Sequence, residues 1–106
     1  EMYDFEGAMA AAESLIAYCP DYAEGYNQRA FLNFLTQDYE AALPDLDATL
    51  TRNPRHVAAL TGKALTLHAL GRNAEAALAL RAALDLNPWL GERHLLPVLE
   101  AQEKEL

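Results

Sequence analysis

Three histidines, one cysteine and sixteen carboxylates are the groups through which this chain of 106 residues could do chemistry. Their spacing decides what that chemistry can be. His56, His68 and His94 stand 12 and 26 residues apart, so no HxxxH or HExxH pair brings two imidazoles to one helical face for a metal. Surface or packing roles are expected of them. Cys19 precedes Pro20 with no base at a catalytic spacing, and a buried, inert thiol is expected. Asp45 and Asp47 are two apart and diverge on a helix, which reads as solvated surface rather than a general acid and base. GxGxxG, P-loop and GxSxG patterns are all absent, so nothing supports a phosphate cradle or a nucleophile elbow. No catalytic residue, no metal and no cofactor is expected, and the chain is read as not an enzyme.

Charge and composition narrow the remaining classes. Eight basic residues against sixteen acidic give a net charge of −8, the opposite of the clustered Lys and Arg that neutralise phosphates, so no nucleic-acid partner is expected. The imbalance is local: residues 1 to 50 hold ten acids and one base, Arg29, so one end or face is strongly acidic. No apolar run approaches the roughly 18 residues of a membrane span, and no basic-then-apolar leader is present. No membrane association and a cytoplasmic location are therefore expected. A lone cysteine excludes an internal disulfide and agrees with a reducing compartment.

The side chains left for recognition are apolar, and the elements that carry them repeat. Alanine and leucine supply 40 of the 106 residues and valine, isoleucine and threonine only eight, a balance that favours helix over sheet. Pro20, Pro54 and Pro88 lie 34 apart, as do Ala8, Ala42 and Ala76. The same offset relates Asn53-Pro54 to Asn87-Pro88 and Ala30, Leu46, Ala48 and Leu50 to Ala64, Leu80, Ala82 and Leu84. A fixed period of this length marks stacked repeats. Each unit divides into two helical stretches, about 23–36 and 39–52, then 57–70 and 73–86. Asp21 with Glu24 is expected to cap the first stretch and Asp38 the second. Gly71 suits a left-handed helix end, and Pro54 and Pro88 stop helices. Pro44 and Pro97 fall inside expected helices, where kinks or late starts are expected.

On these residues the chain resembles the tetratricopeptide repeat (TPR) family, whose 34-residue unit is a hairpin of helix A and helix B. In a frame starting at Ala23 and Val57, the small eighth position is Ala30 and Ala64 and the twentieth is Ala42 and Ala76. Tyr39 stands at the aromatic seventeenth position, and Pro54 and Pro88 at the thirty-second. Leu60, Asn73 and Asn33 depart from the usual pattern without breaking the spacing. The resemblance implies an all-α fold of about six helices, antiparallel helix-turn-helix repeats stacked as a short right-handed solenoid. One domain, 1–106, would comprise helix B of a partial repeat at 4–20, repeats at 23–56 and 57–90, and a terminal or capping helix at 91–106.

In this family the A helices line a concave groove that takes peptides or partner helices. The resemblance places Asn27, Phe31, Phe34 and Leu35 of one unit and Thr61, Leu65 and His68 of the next on that wall. Glu24, Ala58 and Ala69 complete it. The alternative for Phe31, Phe34 and Leu35 is packing on neighbouring helices, and for Asn27 a solvated helix position. The fifth and thirteenth positions hold no Lys or Arg, so the carboxylate clamp of some TPR modules is missing. Arg55, Arg72 and Arg93 form a weak basic rim or solvated charge, and Trp89 is expected to pack over the junction between repeats. The implied function is a noncatalytic protein-interaction module binding a peptide or helix of another protein. The alternatives are a structural or oligomerisation segment with a self-filled groove and an accessory domain fused to an enzyme. With no helix A before 4–20, Met2, Phe5, Met9 and Ile16 are candidate uncovered surface, through which residues 2–16 could build a homo-oligomer.

Overall fold

A computed structural model describes residues 4–104, with side chains described as far as residue 102. Among the described residues the chain is all-helical. The elements are α1 (Phe5–Tyr18), α2 (Ala23–Leu35), α3 (Tyr39–Arg52), α4 (Val57–Ala69), α5 (Asn73–Leu86), a 3-10 turn (Gly91–His94) and α6 (Leu95–Lys104). They fall into two compact units, Glu1–Pro54 and Arg55–Leu106.

In the first unit α2 and α3 form an antiparallel hairpin and α1 packs on α2. Asp4 caps α1, its carboxylate accepting from the Gly7 amide at 2.9 Å, and Asp38 caps α3 through the Ala41 amide. The Asp21–Glu24 cap does not form: Tyr22 is the N-cap residue of α2 and makes no side-chain cap bond, while Glu24 accepts from the Asn27 amide at 3.3 Å. The chain bends so sharply at Pro20 that its carbonyl faces the following helices instead, accepting from the Tyr26 hydroxyl at 2.7 Å and Arg52 Nε at 2.9 Å. The Arg52 guanidinium lies 4.2 Å from the Tyr26 ring centre, a cation–π contact. Gly25 is buried where α1 crosses α2, and a Cβ there would stand 3.2 Å from Ile16 Cγ1 and 3.3 Å from Leu15 Cγ. Ile16 therefore belongs to the α1–α2 contact and not to free surface. Phe5 and Met9 are half-buried, and Met2 lies outside the described residues.

In the second unit α4 and α5 form the corresponding hairpin, and α6 packs on α5. His56 caps α4, Nδ1 accepting from the Ala59 amide at 3.1 Å. The position of the Asp38 cap is taken by Arg72, which makes no side-chain cap bond to the backbone; its guanidinium instead pairs with Glu75 of the first turn at 2.7 Å, an exposed pair of small energetic weight. Pro44 sits inside α3 without delaying its start. The late start falls in the last helix, which opens as a 3-10 turn and becomes α-helical only at Leu95, so that Pro97 occupies a first-turn position where no amide is needed.

The core follows the small-residue frame. Ala30 and Ala64 are 1% and 0% exposed, and Ala42 and Ala76 both 0%. Trp89, by contrast, is 80% exposed, which does not fit the junction packing expected of it. Cys19 is exposed as well, because it closes α1 on the outside of the Pro20 turn.

Both A-to-B turns use one device. Gln37 and Gly71, 34 residues apart, have φ of 63° and 79°. The amides that follow bond back in the Schellman pattern, Asp38 to Asn33 at 2.8 Å and Arg72 to Leu67 at 2.9 Å. Glycine enters this left-handed region without a Cβ penalty, whereas glutamine pays about 1 kcal/mol or more. Gln37→Gly is therefore expected to stabilise the chain by about 0.5 to 1 kcal/mol and Gly71→Ala to destabilise it by about 1 kcal/mol. Urea unfolding of the two variants checks this, and shifts of the same sign would contradict it.

Candidate functional site

Helix α2 carries the residues expected on the groove wall of the first unit. Phe31 and Leu35 are 57% and 50% exposed. Asn27 is half-buried and donates to Glu24. Phe34 is half-buried and stacks edge-to-face on Tyr39, with ring centres 5.5 Å apart. Beside this face lies an open pocket of about 250 Å³ lined by Ala8 of α1 and Glu24, Asn27, Gln28, Phe31 and Leu32 of α2. The structure thus brings Asn27 and Phe31 together in one concavity, whose lining does not include Phe34 and Leu35. Ala8 and Gln28 were not expected there. The 34-residue spacing aligns Ala8 with Ala42 and Ala76, and nothing in the sequence says that the first of these is left open.

In the second unit Thr61 is 9% exposed, and its buried hydroxyl has no hydrogen-bond partner among the described residues. Leu65 and His68 are half-buried, and His68 Nδ1 lies 2.9 Å from Asn73 Oδ1. That bond ties His68 to the start of α5. Among the described residues no group of three or more His, Cys, Asp or Glu side chains is placed to hold a metal.

Asp45 is not solvated surface. It is 6% exposed, and its two oxygens accept from Arg29 Nε at 2.8 Å and Nη2 at 2.9 Å. Those hydrogen bonds hold the Arg29 guanidinium above its ordinary pKa, against the lowering effect of burial. A planar fork matched to a carboxylate fixes geometry as well as energy. The pair ties α2 to α3 at one rotation about their axes.

A tetratricopeptide repeat profile matches residues 35–88, half of the chain. A TPR repeat-containing protein of Rhizobium etli is 37% identical over 81 residues, 76% of this chain and 40% of that relative. The chain belongs to the tetratricopeptide repeat family. Repeats of this family are in general protein-interaction modules and typically noncatalytic. The chain spans well under half the length of that relative. No described helix is long and apolar enough to cross a membrane.

Breaking the Arg29–Asp45 pair from either side leaves a partly buried charge unpartnered. Because Arg29 is 31% exposed, Arg29→Met or Asp45→Ala is expected to cost about 1 to 3 kcal/mol, below the fully buried range. The double variant is expected to recover part of that loss in a denaturant double-mutant cycle. Strict additivity would mean that the pair does not set the hairpin.

Proposed function

We propose that this chain binds a peptide or helix of a partner protein on the α2 face, with Phe31 as the apolar anchor and Asn27 as the polar contact beside it. The observation that carries this reading is Phe31, 57% exposed at the rim of the α1–α2 pocket. A groove filled by the chain itself requires a covered Phe31. An exposed aromatic beside a concavity with a few polar groups suits a segment that inserts one bulky side chain. Leu35 extends the apolar strip by a further turn of α2. Thr61, Leu65 and His68 remain candidate contacts of the second unit, although burial of Thr61 leaves it little surface for a ligand.

Electrostatics narrows the partner. The first unit holds ten acids and two bases, Arg29 and Arg52. Arg29 is engaged by Asp45 and Arg52 by Pro20 and Tyr26. The preferred segment therefore combines a bulky apolar residue with flanking Lys or Arg. A cytoplasmic setting and a noncatalytic role fit the same reading.

Peptides selected on the immobilised chain from a random display library test it. The selected sequences are expected to pair a bulky apolar residue with basic flanks. Phe31→Ala should weaken them tenfold or more, about 1.4 kcal/mol, with helicity unchanged. Equal affinity for the folded variant would remove Phe31 from the site.

A further inference from the structure

The α1–α2 pocket is not apolar throughout. Ala8, Phe31 and Leu32 give it an apolar side, Glu24, Asn27 and Gln28 a polar one, and Glu24 is the charged residue of the lining. Asn27, Gln28 and Phe31 follow Glu24 by three, four and seven residues, which puts all four on one face of α2. Asn27 donates its amide to Glu24 Oε2 at 3.3 Å. That bond holds the half-buried carboxylate on this face and leaves the carbonyl oxygen of the same amide as an acceptor in the lining. A carboxylate accepts from as many as about four donors, so Asn27 does not saturate it. Among the described residues no base lines the pocket: Arg29 is forked on Asp45, and Arg52 bonds to Pro20 and lies on the Tyr26 ring.

Acceptors beside the exposed ring of Phe31 suit a long basic side chain, whose methylene stem lies on the ring while its cation reaches the carboxylate. A purely apolar side chain in the same place would take water from Glu24 and Asn27 and return no hydrogen bond. We propose, resting on the peptide-binding reading above, that the pocket takes a Lys or Arg side chain of the bound segment, with Glu24 as its counter-charge. The bulky apolar residue of that segment packs further along α2, on Phe31 and Leu35, the second of which is half exposed and outside the pocket lining.

The geometry of α2 sets the spacing of the two residues. From Asn27 and Gln28 to Leu35 is seven or eight residues of helix, a rise of about 11 Å. An extended segment, at about 3.3 Å per residue, comes closest to that distance in about three residues. The bound sequence therefore carries its basic residue and its bulky apolar residue three positions apart.

Two selections from one random-peptide display library, on the immobilised full chain and on its Glu24→Lys variant, test the proposal. The parent is expected to enrich Lys or Arg three positions from a bulky apolar residue. Glu24→Lys is expected to enrich Asp or Glu at that position and to keep the apolar residue. The best parent peptide, labelled for fluorescence polarisation, is then measured against Glu24→Gln and against Glu40→Gln, which removes the same charge from an exposed site in the first turn of α3. Glu24→Gln is expected to weaken binding about tenfold and Glu40→Gln less than about twofold. Replacing the basic residue of the peptide by Ala should cost the parent about tenfold and Glu24→Gln almost nothing. Circular dichroism verifies that each variant keeps its helices. Equal losses from the two Gln variants, additive losses on the two sides of the contact, or Lys and Arg selected by Glu24→Lys would each overturn the proposal. If Phe31→Ala abolishes binding and Glu24→Gln does not, the peptide-binding reading stands and the basic side chain alone is removed from the pocket; a parent that selects no peptide removes both.

Discussion

The structure depends on how closely the paired helices can approach at small, wholly buried residues. Ala30 and Ala42 in the first hairpin and Ala64 and Ala76 in the second are essentially without exposure. A side chain of any length at these points would push the helix axes apart and leave voids around Leu32, Leu46, Leu67 and Leu80, the buried leucines of the same hairpins. The 34-residue period is the record of that constraint: it is tightest at the small positions and loosest on the outside, where Leu78 is 64% exposed. Gly25 extends the same logic to the α1–α2 crossing, where even a Cβ would be crowded.

Close packing fixes distance but not rotation, and rotation decides which side chains face outward. In the first unit the Arg29–Asp45 fork supplies it, and the Pro20 carbonyl, shared by Tyr26 and Arg52, anchors the turn below it. Neither arrangement has a counterpart in the second unit, where Lys63 and Ala79 stand at the positions of Arg29 and Asp45, and Leu60 and Leu86 at those of Tyr26 and Arg52. The first unit thus has polar ties that set the rotation of α2 against α3, whereas in the second the His68–Asn73 hydrogen bond and apolar burial join α4 to α5.

What could be read from the residues follows from the range of the forces involved. In the two whole repeats the helices lie within a residue of their expected bounds, because period, proline and glycine act locally: Gly71 is left-handed as its place in the pattern implies, and the helices stop before Pro54 and Pro88. Gln37 is not legible as a left-handed residue, because glutamine carries no such signature, although its register with Gly71 does. The fork between Arg29 and Asp45 was illegible, since partners 16 residues apart are joined only by the hairpin, and Asp45 reads as solvated until its neighbour is known. Cys19 and Trp89 failed for the related reason that hydrophobic character does not say whether anything lies nearby to cover it. Of the candidate groove, Asn27 and Phe31 stand on one wall by the family resemblance, whereas the pocket's α1 wall at Ala8 depends on tertiary packing.

The central claim is that the alanine frame, rather than average hydrophobicity, builds the fold, and one comparison within α5 tests it most directly. Ala76 is wholly buried and Ala74 exposed on the same helix, so the same substitution at the two positions has nearly equal intrinsic helical cost. Measured by chemical denaturation, Ala76→Leu is predicted to lose about 1 to 3 kcal/mol by overpacking and Ala74→Leu to stay within about 0.5 kcal/mol of the parent. Equal stability of the two variants would contradict the account.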